Sequence, residues 1–209
     1  MRKSVFFRTS LAVCCLSALG SRVAPVRASQ VPNGGELPAS RTSLSVVDAY
    51  RAIPHRRTVF RFERSPILDR EKTYLSEMFD LIDRGVVLRV ALYRSFMAGE
   101  PDGDSLVEDL GLLVNYFETK VIVPEGLRDY HAQVVAAMKA QKAFFEEWRD
   151  AGAGFPFSQP RRLPEHPLVQ KSSRALRTAY GMLMRRYGAR EDRENRDAFF
   201  DYHCALDFL

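Results

Sequence analysis

The feature that most restricts the possible folds of this chain is the spacing of its apolar residues. Between residues 66 and 97, the apolar residues that recur at helical spacing include Leu75, Met78, Phe79, Ile82, Val86, Tyr93, Phe96 and Met97. Intervals of three and four residues place them on one face of an α-helix. Ser65 and Pro66 form a typical helix start, and Gly99 and Pro101 are typical of a helix end. The sequence therefore predicts one long helix over residues 65–97.

Four more segments have the same helical period, and they cover residues 104–118, 124–150, 167–187 and 192–209. Asp104 is predicted to cap the first of them. A short helix is expected within residues 44–53, because Pro54 disfavours helix at the residue before it. Only Thr58–Glu63 has strand propensity, and one strand cannot form a sheet. We therefore predict an all-α fold, an up-and-down bundle of four to five helices with an extended N-terminal arm.

The first 28 residues have the three parts of a secretory signal peptide. Arg2 and Lys3 give a basic start, Leu11–Gly20 is a short apolar run, and a cleavage site follows Ala28. The apolar run is roughly half as long as a membrane-spanning helix. We expect an exported protein, periplasmic or secreted, that begins near Ser29 and has no transmembrane segment in its mature part. The alternatives are an uncleaved anchor and a disordered cytosolic tail.

The residues after this leader divide into a lead-in and a helical domain. Residues 29–43 are rich in Pro, Gly, Ser and Asn, and such a composition cannot bury much apolar surface. The predicted organisation is a signal peptide over 1–28, a flexible lead-in over 29–43 and a single helical bundle domain over 44–209.

Charge and cysteine content narrow the function classes. Five of the 31 Lys and Arg residues, and none of the 26 Asp and Glu residues, precede residue 29, so residues 29–209 carry 26 charges of each sign. A nucleic-acid binder needs a basic field, and we therefore expect no nucleic-acid partner. Cys204 is the one cysteine after the leader, so no internal disulfide is expected in the mature chain.

The segment FFDYHCALDF, from Phe199 to Phe208, concentrates titratable residues near the end of the sequence. On a helix, His203 and Asp207 are four residues apart and lie one above the other between two apolar faces. We interpret the segment as a helix buried on two sides, in which His203 and Asp207 bond each other or a neighbour. The alternative is that His203 is a metal or haem ligand, or an acid–base group oriented by Asp207. No metal site is predicted, because the sequence does not identify the other ligands.

Three further polar residues fall on apolar helix faces: Arg89, His131 and Gln141. Together with His203 and Asp207 they are the candidate binding residues, because buried polar groups from several helices either hold a bundle together or line a ligand site. A buried charge without a partner is strongly destabilising. We therefore expect a carboxylate from another helix within salt-bridge distance of Arg89, supplied by Asp207, Asp201 or Glu108.

Three functional hypotheses remain open, since no catalytic or phosphate-binding motif occurs in the sequence. The favoured one is a non-enzymatic binding or interaction module whose protein or small-molecule partner the sequence does not identify. The second is a metal- or b-haem-binding bundle that uses His203 or His131 with a helix methionine such as Met78. The third is an enzyme with a polar site around Arg89, His131 and His203.

Overall fold

Six α-helices make up most of residues 41–208, the part of the chain that this computed structural model describes. They are α1 (Val46–Arg51), α2 (Asp69–Ala98), α3 (Gly103–Thr119), α4 (Arg128–Ala151), α5 (Pro167–Tyr187) and α6 (Arg193–Leu206). Short 3-10 segments lie between some of them, and residues 41–208 contain no β-strand. The predicted all-α fold is confirmed. The predicted signal peptide, residues 29–40 of the predicted lead-in and Leu209 lie outside the described residues.

Local capping interactions explain where several helices begin and end. The bounds of α5 are those predicted, and the side chain of His166 caps its start by accepting a hydrogen bond from the N–H of Leu168. Asp192 caps α6 in the same way, by accepting from the N–H of Asn195. α2 ends before Gly99, whose φ of 67° is in the left-handed region that glycine adopts without a side-chain clash.

Three predicted helix starts are wrong. α4 begins at Arg128 rather than at residue 124, because Glu125–Leu127 forms a 3-10 turn. α2 begins at Asp69 rather than at Ser65. The hydroxyl of Ser65 is instead 2.5 Å from Glu191 Oε1, to which it donates a hydrogen bond. α3 begins one residue before Asp104, which therefore lies in the first helical turn and does not cap the helix.

The helices form a closed bundle. Each helix from α2 to α5 packs against the next one in the sequence, and α6 packs back against α2. α5 and α6 are antiparallel, because Ser173 in the first half of α5 contacts Asp207, whereas Tyr187 at its end contacts Phe199. Gly85 allows a close approach of α2, since a Cβ atom there would lie 2.9 Å from Leu206 Cδ1. The fully buried residues include Leu75, Met78, Ile82, Leu110, Val134, Met138, Phe145, Leu183 and Phe199.

Residues 55–61, which form neither helix nor strand, lie on the bundle. Phe60 is buried and stacks on Phe199 of α6, with ring centroids 5.1 Å apart. Arg57 holds the same segment to α2 through an ion pair with Asp83, in which Nη2 is 2.6 Å from Oδ2. Within residues 41–208, no helix combines the length and the apolar character needed to cross a membrane.

Candidate functional site

Arg89 points into the bundle and caps the end of α6. The residue is only 8% exposed, and its Nη2 donates a hydrogen bond of 2.7 Å to the carbonyl oxygen of Ala205. The last carbonyls of a helix have no partner within the helix, and a cation there also interacts favourably with the helix dipole. Burial lowers the pKa of the Arg89 guanidinium to about 10, and the negative charge of Asp207 opposes that shift.

The expected ion pair of Arg89 is not found. None of the proposed carboxylates, Asp207, Asp201 and Glu108, forms a salt bridge with Arg89 in the described part of the chain. Asp201 pairs with Arg56 and Glu108 pairs with Arg41 instead. The physical reason is that the end of α6 already presents free carbonyl oxygens at the position of the guanidinium, so a neutral acceptor takes the place of the acid.

Gln141 and Asp207 complete this arrangement around the end of α6. Gln141 Nε2 donates to Leu206 O at 2.7 Å and lies 3.1 Å from Ser172 Oγ. Asp207 follows the last helical residue, and its Oδ1 accepts from Ser173 Oγ at 2.5 Å and from the N–H of Phe208. Side chains from α2, α4 and α5 thereby fix the C-terminal end of α6, which we call the α6 end cluster (Arg89, Gln141, Ser172, Ser173, Asp207).

His203 does not bond Asp207; each of them bonds a neighbour, the second of the two predicted arrangements. The side chain is buried, and its Nδ1 is 2.6 Å from the carbonyl oxygen of Phe199. Because a carbonyl oxygen only accepts, Nδ1 carries the proton and Nε2 keeps its lone pair. Burial lowers the pKa of His203 to about 4, and the bond to Phe199 opposes the shift. His203 is therefore a neutral imidazole at physiological pH.

Two buried polar atoms near His203 lack a hydrogen-bond partner within residues 41–208. They are Nε2 of His203 and Oη of Tyr130. The two rings meet edge to face with centroids 5.7 Å apart. One atom is an acceptor and the other a donor, so a small polar molecule that reached both would satisfy both.

His131 lies in a different part of the bundle, where it joins three helices. Its Nε2 is 2.9 Å from the carbonyl oxygen of Phe117 at the end of α3, and its Nδ1 is 3.1 Å from Tyr74 Oη on α2. The carbonyl requires a proton on Nε2, so the Tyr74 hydroxyl donates to Nδ1. Burial lowers the pKa of His131, and the bond to Phe117 opposes the shift.

The five candidate residues thus fall into two groups. Arg89, Gln141 and Asp207 share the α6 end cluster. His131 and His203 are linked through two tyrosines. Tyr130 contacts His203 on one side and Tyr74 on the other, and Tyr74 bonds His131. The second apolar face predicted for the segment that contains His203 is only partly buried: Phe200 is 49% exposed, whereas Cys204 and Phe208 are half-buried.

Sequence reasoning missed two buried carboxylates on α2. Asp83 is 4% exposed and accepts hydrogen bonds from Tyr50 Oη at 2.8 Å and from Arg57. Glu71 is 2% exposed and accepts from Arg186 Nη2 at 2.6 Å. Both are close in sequence to the apolar stripe of α2, which was the available signal, but their partners lie far away along the chain.

A group of cations on the outer face of α5 was missed as well. We call it the cationic stripe: Lys171, Arg174, Arg177 and Arg185, all of them exposed. α5 contains no Asp or Glu, and none of the four side chains forms an ion pair with another residue of the described chain. Phe200 of α6 lies beside the stripe and meets Tyr180 of α5 edge to face, with centroids 5.6 Å apart. The signal in the sequence was a 21-residue helix of one charge sign.

Comparisons with family models, with curated proteins and with solved structures give no significant match for this chain. Within residues 41–208, no three His, Cys, Asp or Glu side chains are grouped so that they could hold a metal ion.

Proposed function

We propose that this chain is an exported, non-enzymatic interaction module that binds its partner through the outer surface of α5 and α6. The observation that carries the proposal is the cationic stripe beside the exposed ring of Phe200. Exposed cations without ion-pair partners in the described chain keep their charge available to a partner, and exposed aromatic side chains beside Arg are typical of interface centres.

The polar residues of the interior support the same proposal. Arg89, Gln141 and His131 all hydrogen-bond to main-chain carbonyl oxygens at helix ends. Such bonds satisfy groups that would otherwise be buried without a partner, so they stabilise the bundle itself. A role in holding the helices together accounts for these three side chains without a substrate.

One observation favours the alternative of a cofactor-binding bundle. The unprotonated Nε2 of His203 is the form of histidine that binds metals, and it has no hydrogen-bond partner in the described residues. The purified chain should therefore be measured for bound metals and for a haem absorption spectrum. A stoichiometric metal or haem that is lost in His203→Gln would replace the proposed function with this alternative.

The proposed surface is tested by a photo-crosslinking amino acid at position 200, in the chain expressed in its own cells. We expect an adduct with a partner, protein or lipid, identified by its mass. The matched control is the same probe at Leu112, which is 43% exposed on α3. Equal adducts from both positions, or none from position 200, would contradict the proposal.

Export is tested separately. N-terminal sequencing of the chain recovered from the periplasm or the medium should give a start near Ser29. If the chain keeps Met1 and stays in the cytoplasm, the proposed export is wrong. The proposed binding surface is not affected by that result.

A further inference from the structure

The cationic stripe runs along an outward ridge of the bundle. Lys171, Arg174 and Arg177 follow at intervals of three residues, and Arg185 lies three helical turns beyond Arg174 on nearly the same line. The stripe is about 21 Å long at 1.5 Å per residue. Long side chains that face outward along such a ridge can meet a flat surface together.

Two grooves of the described bundle that are large enough for a chain-like ligand lie elsewhere. One, of about 870 Å³, is formed by residues near Arg41 and α1 with the ends of α2 and α3. Another, of about 560 Å³, lies beside Phe96 and Trp148. Neither is lined by a residue of α5 or α6. Neither of these two grooves therefore holds a peptide or a nucleic-acid strand along the stripe.

The side chains of the stripe fit phosphate groups. Three of the four are arginines, whose planar guanidinium binds a phosphate through two parallel hydrogen bonds. Phe200 adds an exposed ring at the edge of the stripe, and an apolar ring next to cations suits the boundary between lipid headgroups and acyl chains.

The charge balance of the chain also fits a flat anionic surface. Residues 29–209 carry equal numbers of positive and negative charges, so long-range attraction to a polyanion is weak. α5 itself contributes no acidic residue to the stripe, so the local charge of this helix is positive although residues 29–209 are neutral as a whole. One-sided contact therefore allows a neutral chain to bind.

We infer that the outer surface of α5 and α6 binds the phosphates of an anionic lipid bilayer, with the cationic stripe on the headgroups and Phe200 at their base. This inference rests on the proposed function, because it names the partner of the same surface. It involves no insertion of a helix across the bilayer.

The test measures sedimentation of the purified mature chain with two kinds of vesicle. One is phosphatidylcholine alone, and in the other about a third of the lipid is phosphatidylglycerol. We expect binding to the anionic vesicles only, weakening steeply as salt is raised. Each basic side chain at an anionic surface contributes roughly fivefold in affinity, so Arg174→Gln, Arg177→Gln and Arg185→Gln together should weaken binding about a hundredfold.

The matched control replaces three exposed arginines outside the stripe, Arg70, Arg94 and Arg128, with glutamine. It changes the net charge by the same amount and should alter vesicle binding less than about threefold. Phe200→Ala should weaken binding about fivefold without changing its salt dependence. Circular dichroism of each variant confirms that it is folded.

The outcomes separate this inference from the proposed function. Equal binding to both kinds of vesicle, or equal losses in the stripe and control variants, would overturn the lipid inference. Binding to an acidic peptide or to single-stranded DNA that needs the stripe, without binding to anionic vesicles, would overturn the lipid inference. The same result would support the proposed binding surface. No binding to any of these probes, together with no adduct at position 200, would overturn both.

Discussion

Positive charges have opposite surroundings at the end of α6 and on the outer face of α5. Inside, Arg89 is 8% exposed; its Nη2 donates to a main-chain carbonyl 2.7 Å away, whereas its Nε has no partner within the described residues. Outside, the four cations of the stripe have no carboxylate partner in the described chain. Burial makes an unmatched charge very costly, whereas water solvates an exposed one at little cost. Folding therefore requires the inner contact but does not require partners for the outer charges, which stay available for binding.

The same contrast separates two neighbouring helices of similar length. α4 has 24 residues and α5 has 21. α4 balances its basic residues with acids, as in the pairs Lys142–Glu146 and Arg149–Asp150. α5 has no acid at all. Length and position in the bundle thus do not explain the unpaired charges of α5.

The largest expected effect is that of Arg89→Ala. It leaves the carbonyl of Ala205 without its donor and opens a cavity in the core, so the free energy of unfolding should fall by about 3–4 kcal/mol. Urea unfolding followed by circular dichroism measures this. Arg94→Ala, on the exposed side of the same helix, is the control and should change stability by less than about 0.5 kcal/mol. A loss below about 1 kcal/mol for Arg89→Ala would mean that the inner contact is not required.

The next effect is the pH dependence that His203 contributes. Its folded pKa of about 4 lies below the unfolded value of 6.5. Between these values the unfolded chain binds a proton that the folded chain does not, so stability is present above pH 6.5 and is lost as pH falls towards 4. The loss from this group amounts to about 3 kcal/mol at pH 4.

Urea unfolding at several pH values between 7 and 4 should therefore show a flatter pH profile for His203→Gln than for the wild type. His131→Gln is the comparison, because burial lowers the pKa of His131 in the same direction. Parallel profiles for the wild type and His203→Gln would show that His203 is not buried as a neutral group.

Gln141→Leu should have a smaller effect. It removes the donor to the carbonyl of Leu206, but it also removes Oε1, a buried atom without a partner in the described chain. The two changes oppose each other, so we expect a loss of about 1–2 kcal/mol in the free energy of unfolding. Gln170→Leu on the exposed start of α5 should stay within about 0.5 kcal/mol of the wild type. An unchanged or higher stability of Gln141→Leu would show that the α6 end cluster does not depend on this side chain.

Local sequence signals predicted the helices better than the polar contacts. The bounds of α5 followed from Pro167 and Gly188, which act on their own neighbours. The start of α2 did not, because Ser65 is bonded to Glu191, a partner 126 residues away. The inward position of Arg89 followed from the apolar stripe around it, but its acceptor depends on where another helix ends.

Of the two arrangements predicted for His203 and Asp207, bonds to neighbours are found rather than a bond between them, for a related reason. Residues four apart meet only if the helix continues, and α6 ends at Leu206. Asp207 has extended backbone angles, with ψ at 155°, so its side chain turns to Ser173 instead. The cationic stripe was visible in the sequence as a helix with one sign of charge. Its lack of ion-pair partners depends on the tertiary structure, which no local sequence pattern predicts.

The smallest expected effect is that of the stripe itself on stability. Arg174→Gln, Arg177→Gln and Arg185→Gln together should change the free energy of unfolding by less than about 0.5 kcal/mol, because exposed side chains without ion pairs contribute little. Glutamine keeps the helix propensity of arginine nearly unchanged. Urea unfolding of the triple variant beside the wild type measures the change. A loss above about 1 kcal/mol would mean that these cations stabilise the fold, and the contrast between the two regions would then disappear. An unchanged stability, combined with lost vesicle binding, would show that the stripe contributes to binding of the partner and not to the stability of the fold.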